Sequence, residues 1–236
     1  MKALCQLSAM VAIALGLTVL SFMFTLTDVR TESVALTLFT VGIPALLLTL
    51  WARPETPHPD LLRRLLRFVL PAAIVTTIFG VGVYTFFYEL VLRGVNAYQI
   101  PPEAVAQWEA YTGLSYQADE GFGEAAATIV AQTALSTFVS FAAFGLILFL
   151  EPPSRLFTGW APVSPDKRPA WLALALAIIY VVVLFTPVTA SYFGLVTPGG
   201  PEAEVMLVTL PLWFLILRAL WRAKLFDRLL TVGDRS

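Results

Sequence analysis

Charge is scarce in this chain, and so are the residue types on which most metal and acid–base chemistry relies. Charged side chains make up 13% of its 236 residues, about half the share of an ordinary soluble domain. It has one cysteine, Cys5, and one histidine, His58. A lone cysteine excludes an intramolecular disulfide framework and a multi-cysteine metal site. A lone histidine leaves little metal or proton-relay chemistry of the usual kind. Lysine occurs only at Lys2, Lys167 and Lys224, none of them behind a glycine-rich loop that could cradle phosphates. His58 lies in Arg53-Pro54-Glu55-Thr56-Pro57-His58-Pro59, with no serine nearby in a nucleophile-elbow pattern. A net charge of −1 gives no reason to expect nucleic acid. The expectation is a protein that is not an enzyme, with no catalytic residues, no metal site and no cofactor.

What the chain does have is apolar length. Hydrophobic residues make up 58% of it and the mean hydropathy is +0.79. At roughly 20 residues per membrane-crossing helix, this predicts an all-α integral membrane protein. Apolar runs at about 4–27, 33–51, 68–92, 125–150, 170–196 and 203–221 give six spans in a single domain covering residues 1–236. Lys2 and the run behind it look like a secretory signal, but the run continues to Thr27 without a convincing small-residue cleavage site. It is read as a mature span. The second span is short and contains Gly42-Ile43-Pro44, where the proline removes a hydrogen bond and predicts a kink or local unwinding. Pro187 and Pro211 mark later spans, and Pro71 is expected near a helix start, where it costs little.

Thirteen of the fifteen Lys and Arg residues fall in the termini and in loops of one side, leaving Arg30 and Arg93 for the other. Such a split places both termini in the cytoplasm, in a multi-pass protein of the bacterial inner membrane. The opposite side collects acids. Its longest loop, 93–124, carries Tyr98, Trp108, Tyr111, Tyr116 and Phe122 among Glu103, Glu109, Asp119 and Glu120. This composition reads as an interfacial lid and not a flexible linker. Pro162–Pro169 reads as a stiff cytoplasmic turn.

No ionisable residue falls near a span centre. Glu89 and Arg218 lie within snorkelling distance of an interface and read as structural. Uncharged polar groups are the remaining candidates. Thr128, Gln132, Ser136 and Ser140 follow at spacings of four, on one helix face, with Thr133 and Thr137 alongside. The ordinary reading of such a stripe is interhelical hydrogen bonding; the other is a polar pathway. Thr37 and Thr40 precede the Gly-Ile-Pro break, where freed carbonyls could coordinate a cation. The ion-pathway candidates are therefore Thr37, Thr40, Gly42, Pro44, Gln132 and Ser136.

The segment Thr37-Leu38-Phe39-Thr40-Val41-Gly42-Ile43-Pro44-Ala45-Leu46-Leu47-Leu48-Thr49-Leu50, followed by Arg53-Pro54-Glu55, resembles the sixth membrane helix of bacterial P-type cation-transporting ATPases. Ala14-Leu15-Gly16-Leu17 resembles the end of the fifth, and Leu62-Arg63-Arg64-Leu65-Leu66-Arg67-Phe68 before Pro71 resembles the approach to the seventh. Ala131-Gln132-Thr133-Ala134-Leu135-Ser136-Thr137-Phe138, with Leu150-Glu151-Pro152-Pro153-Ser154-Arg155, is similar to the eighth helix and its exit. The resemblance covers nearly the whole chain as that family's carboxy-terminal six-helix module, helices five to ten. In the family's calcium and proton-coupled pumps an acid precedes the Gly-x-Pro; here the position is Val41. The Asp-Lys-Thr-Gly phosphorylation loop, the nucleotide and actuator domains and the first four helices have no counterpart. The resemblance thus implies a support module and not an autonomous pump. Its expected partners are the lipid bilayer, a catalytic ATPase subunit or a second copy of itself, and a monovalent or divalent cation. The alternatives are a stand-alone cation channel or carrier, and an inactive gene fragment.

Overall fold

The computed structural model describes residues 42–44, 61–159 and 161–223. These form six helices: α1 (Leu61–Asn96), α2 (Pro102–Thr112), α3 (Phe122–Leu150), α4 (Arg168–Phe185), α5 (Pro187–Phe193) and α6 (Gly200–Arg222). No strand occurs among the described residues. Four of the helices, α1, α3, α4 and α6, are long and apolar enough to cross a membrane, as expected for the last four predicted spans. The first span and nearly all of the second lie outside the described residues. Of the second, Gly42–Pro44 is helical, with Gly42 in a π-type turn, a local widening that interrupts the regular ladder. Pro44 is buried, and Ile43 packs against the cluster formed by α3 and α4.

α3 is the hub. It is apolar all round, the pattern of a helix enclosed on every side, and two-thirds of its span is buried, against 11% for α6. One side joins α1 and α6 in a core that includes Phe87, Phe138 and Trp213. The other receives α4 and α5 through Phe144, Leu176, Tyr180 and Leu195. With lipid tails as apolar as the side chains, close packing has to hold such helices together, and small residues on α3 permit it. A Cβ at Gly123 would come within 3.2 Å of Val95 on α1, and one at Gly145 within 3.0 Å of the Trp213 ring on α6.

Two boundaries differ from those read in the sequence. α1 begins at Leu61, so Pro71 lies inside the helix and not at its start, because the Leu-Arg-Arg segment ahead of the apolar run is already helical. The run 170–196 is two helices. Pro187 has no N–H, and its ring drives the preceding residue out of the helical region; Thr186 accordingly has φ −93° and ψ 115°. After α5, Gly194 (φ 70°) reverses the chain, sending Leu195 and Val196 back into the core.

At the end of the bundle where α3 gives way to α4, aromatic rings join the elements. Phe149 stacks on Phe214 with centroids 4.7 Å apart and meets Trp221 edge-on at 4.8 Å, while Trp221 stacks on Phe68 at 4.9 Å. Cations from the sequence collect here, and two bind loop carbonyls. Arg218 donates to Arg155 O and Arg222 to Thr158 O, both at 3.3 Å. At the other end Arg93 pairs with Glu89 one turn away at 3.3 Å, an exposed pair worth only about 0.3–0.5 kcal/mol.

Candidate functional site: a membrane-side cavity beneath a helical lid

The long loop 93–124 carries a helix, α2, which opens with proline at its first position and closes on left-handed Gly113 (φ 68°). Trp108 is its one buried side chain and plugs it into the α1–α3 core. Acids of the loop are occupied in holding its shape. Glu109 accepts the Tyr116 N–H at 2.8 Å and Asp119 accepts the Ser115 N–H at 2.7 Å. Tyr111 donates to the carbonyl of Leu195 at 3.1 Å, tying the lid to the reversal after α5. The loop is therefore an ordered lid, as its composition suggested.

Under the lid lies a cavity of about 740 Å³. Each wall is one stripe of a helix. α3 supplies Val130, Thr133, Ala134, Thr137 and Phe141; α6 supplies Ala203, Met206, Leu207 and Leu210; α4 adds Val181, Leu184 and Phe185. These spacings of three and four put each set on one helix face. The lid closes the end with Glu103, Ala104, Gln107 and Trp108, and the non-helical Val196–Gly199 segment completes the rim. Irregular backbone at this depth is tolerated where it is buried or lines a cavity, and here its first N–H is satisfied. Val196 donates to the Thr133 hydroxyl at 3.1 Å, both residues being buried.

The cavity is open sideways. α4 and α6 both pack on α3 but form no extended seam with each other. Leu207 and Phe185 line the cavity while remaining 73% and 53% exposed, so its side opening lies on an apolar surface.

The polar stripe of α3 divides between structural bonds and two unbonded atoms. Thr128 bonds back to Glu124 O at 2.7 Å and reaches Tyr84 of α1. Thr137 shares a hydrogen bond of 3.2 Å with Tyr180 of α4. A third interhelical bond, missed in the sequence, runs from Trp213 Nε1 on α6 to the Thr76 hydroxyl on α1 at 3.1 Å. Gln132 and Ser136 are half-buried on α3 and lie outside the cavity lining. The Gln132 Oε1 atom and the fully buried Ser140 hydroxyl have no hydrogen-bond partner. Gly42 is exposed, no described bond joins Gly42–Pro44 to Gln132 or Ser136, and Thr37 and Thr40 lie outside the described residues. Among the described residues no group of three or more His, Cys, Asp or Glu stands close enough to hold a metal ion. The cavity itself could not be found in the sequence, because its walls come from five helices; the partial signals were Thr133 and Thr137 on one face of α3. No protein-family model, curated protein or solved structure matches this chain.

Proposed function

We propose that the chain is a non-catalytic support module of the bacterial inner membrane, with six spans and both termini in the cytoplasm, that works by packing against a membrane partner instead of moving ions itself. One observation carries this reading: three of the hydroxyls buried between the spans, those of Thr76, Thr133 and Thr137, are engaged in holding the bundle together. Thr76 binds Trp213, Thr133 binds Val196 and Thr137 binds Tyr180. An ion path needs oxygens free to exchange with a passing cation, and these are already committed. The exposed face of α6, with Leu207, Val208 and Leu215 outward, provides apolar surface for association. The sequence resemblance makes a catalytic P-type ATPase chain the first partner to test.

The test is purification from native membranes in a mild detergent, followed by identification of whatever remains bound. A stoichiometric partner bearing an Asp-Lys-Thr-Gly loop is expected. A monodisperse monomer with no associated ATPase contradicts that partnership.

A second reading, a stand-alone cation channel or carrier, is favoured by one atom. The Gln132 carbonyl oxygen is buried without a partner, and an unpaired buried acceptor is costly unless a donor or cation visits it. It predicts cation flux that falls in Gln132→Leu.

A further inference from the structure

The cavity beneath α2 has the dimensions, the sidedness and the end chemistry of a site for a lipidic molecule. Its volume of about 740 Å³ lies within the roughly 300–1,000 Å³ typical of small-molecule sites. Its lining runs along α3 from Val130 to Phe141, nineteen residues into the helix, a depth of roughly 28 Å at about 1.5 Å per residue. α3, at 29 residues, exceeds the roughly 30 Å hydrocarbon core, so this depth ends past the bilayer midplane. The cavity therefore takes in the leaflet on the lid side and reaches past its inner edge. Its side opening between α4 and α6 is flanked by exposed Phe185 and Leu207, which gives a molecule already in the bilayer a route in without crossing water.

The two ends differ in chemistry. The deep end is built from Phe141 of α3 and Leu210 of α6, the lining residues of each helix farthest from the lid. At the lid end stand Glu103 and Gln107, and among the described residues Glu103 has no ion-pair or hydrogen-bond partner, in contrast to Glu109 and Asp119. Glu103 occupies the first turn of α2, whose dipole amounts to about half a positive charge. A full carboxylate outweighs it and leaves the lid end negative.

We propose that this cavity binds an amphiphile from the adjacent leaflet, its alkyl chain in the apolar part and an ammonium head hydrogen-bonded to Glu103 and Gln107. The site needs no protein partner, and a partner seated on Leu207 of α6 would cover its opening. Leaflet depth and side opening select a membrane-resident ligand over a water-borne one, and the unpaired carboxylate selects a cationic head over an anionic one.

The full chain, reconstituted in phosphatidylcholine vesicles, can be photolabelled with a long-chain alkylamine carrying a diazirine near its tail, and the adducts mapped by mass spectrometry. Saturable labelling of α3 and α4 around Phe141 and Leu184 is expected, with competition by the unlabelled amine and much less by the matching fatty acid. Glu103→Gln, an exposed site that leaves packing intact, is expected to weaken labelling about tenfold through loss of a charge-assisted hydrogen bond. Glu120→Gln, outside the cavity, leaves it unchanged. Ala203→Trp, which fills the opening, abolishes labelling while elution and thermal melting stay as in the parent. Non-saturable labelling confined to outward residues such as Trp171 and Val188 overturns the site, as does absence of labelling because residues 1–60 of the chain fill it. Equal competition by amine and fatty acid, or an unaltered Glu103→Gln, overturns the head assignment.

Discussion

The Thr133 hydroxyl accepts the backbone N–H of Val196 at 3.1 Å across sixty-three residues of sequence. This bond holds the reversed segment after α5 against the middle of α3 and forms part of the cavity wall. Thr133→Val keeps the shape and removes the acceptor, leaving a buried N–H unpaired at a cost of about 1–3 kcal/mol. A lowered midpoint in denaturant titration of the micellar protein is expected. Thr137→Val, which leaves only a tyrosine hydroxyl to find another partner, should cost about 0.6 kcal/mol, the usual size of an interhelical side-chain bond in a membrane.

How far the sequence revealed this architecture depends on which residues carry each signal. The four described spans were legible because each needs only a continuous apolar run, and the hydroxyl and amide stripe of α3 marked a face turned to other helices. The break at Thr186-Pro187 was hidden in hydropathy, since Val188, Ala190, Phe193 and Leu195 continue the run; the proline was the available sign. α2 was visible only as an aromatic-rich loop, because the burial of Trp108 depends on a groove made by α1 and α3. The cavity depends on residues from five helices, and only Thr133 and Thr137 on one face of α3 gave a local sign of it.

Gly145 and Trp213 should behave as a coupled pair. Gly145→Val pushes a side chain into a ring that would already lie 3.0 Å from a Cβ, and overpacking of this kind costs about 1–3 kcal/mol. Trp213→Phe loses the Thr76 bond but opens space beside α3. In a double-mutant cycle, the pair should lose less stability than the sum of the single changes, by about 0.5 kcal/mol or more; strict additivity contradicts the contact.

Trp108→Ala should loosen the lid. This is the buried anchor of α2, and truncating a tryptophan costs about 3–5 kcal/mol in a closed core; beside a cavity the lower end applies. Faster proteolysis at 113–121, with the spanning helices intact, is the expected readout. Cleavage no faster than in the parent contradicts the anchoring role.

Orientation can be read with single cysteines in a Cys5→Ala background. Gln117→Cys, in the acidic loop, should react with a membrane-impermeant maleimide in intact spheroplasts. Ser154→Cys, in the loop bearing Arg155, should react only after the membrane is opened. The reverse pattern contradicts cytoplasmic termini.

The account rests on interhelical hydroxyls serving the bundle and not an ion. The most direct measurement is cation flux into proteoliposomes containing the purified full chain. Flux indistinguishable from protein-free vesicles, in the parent and in Gln132→Leu alike, is the predicted result. Saturable flux in the parent that disappears in Gln132→Leu would show that α3 carries a conducting path and would contradict the support-module reading.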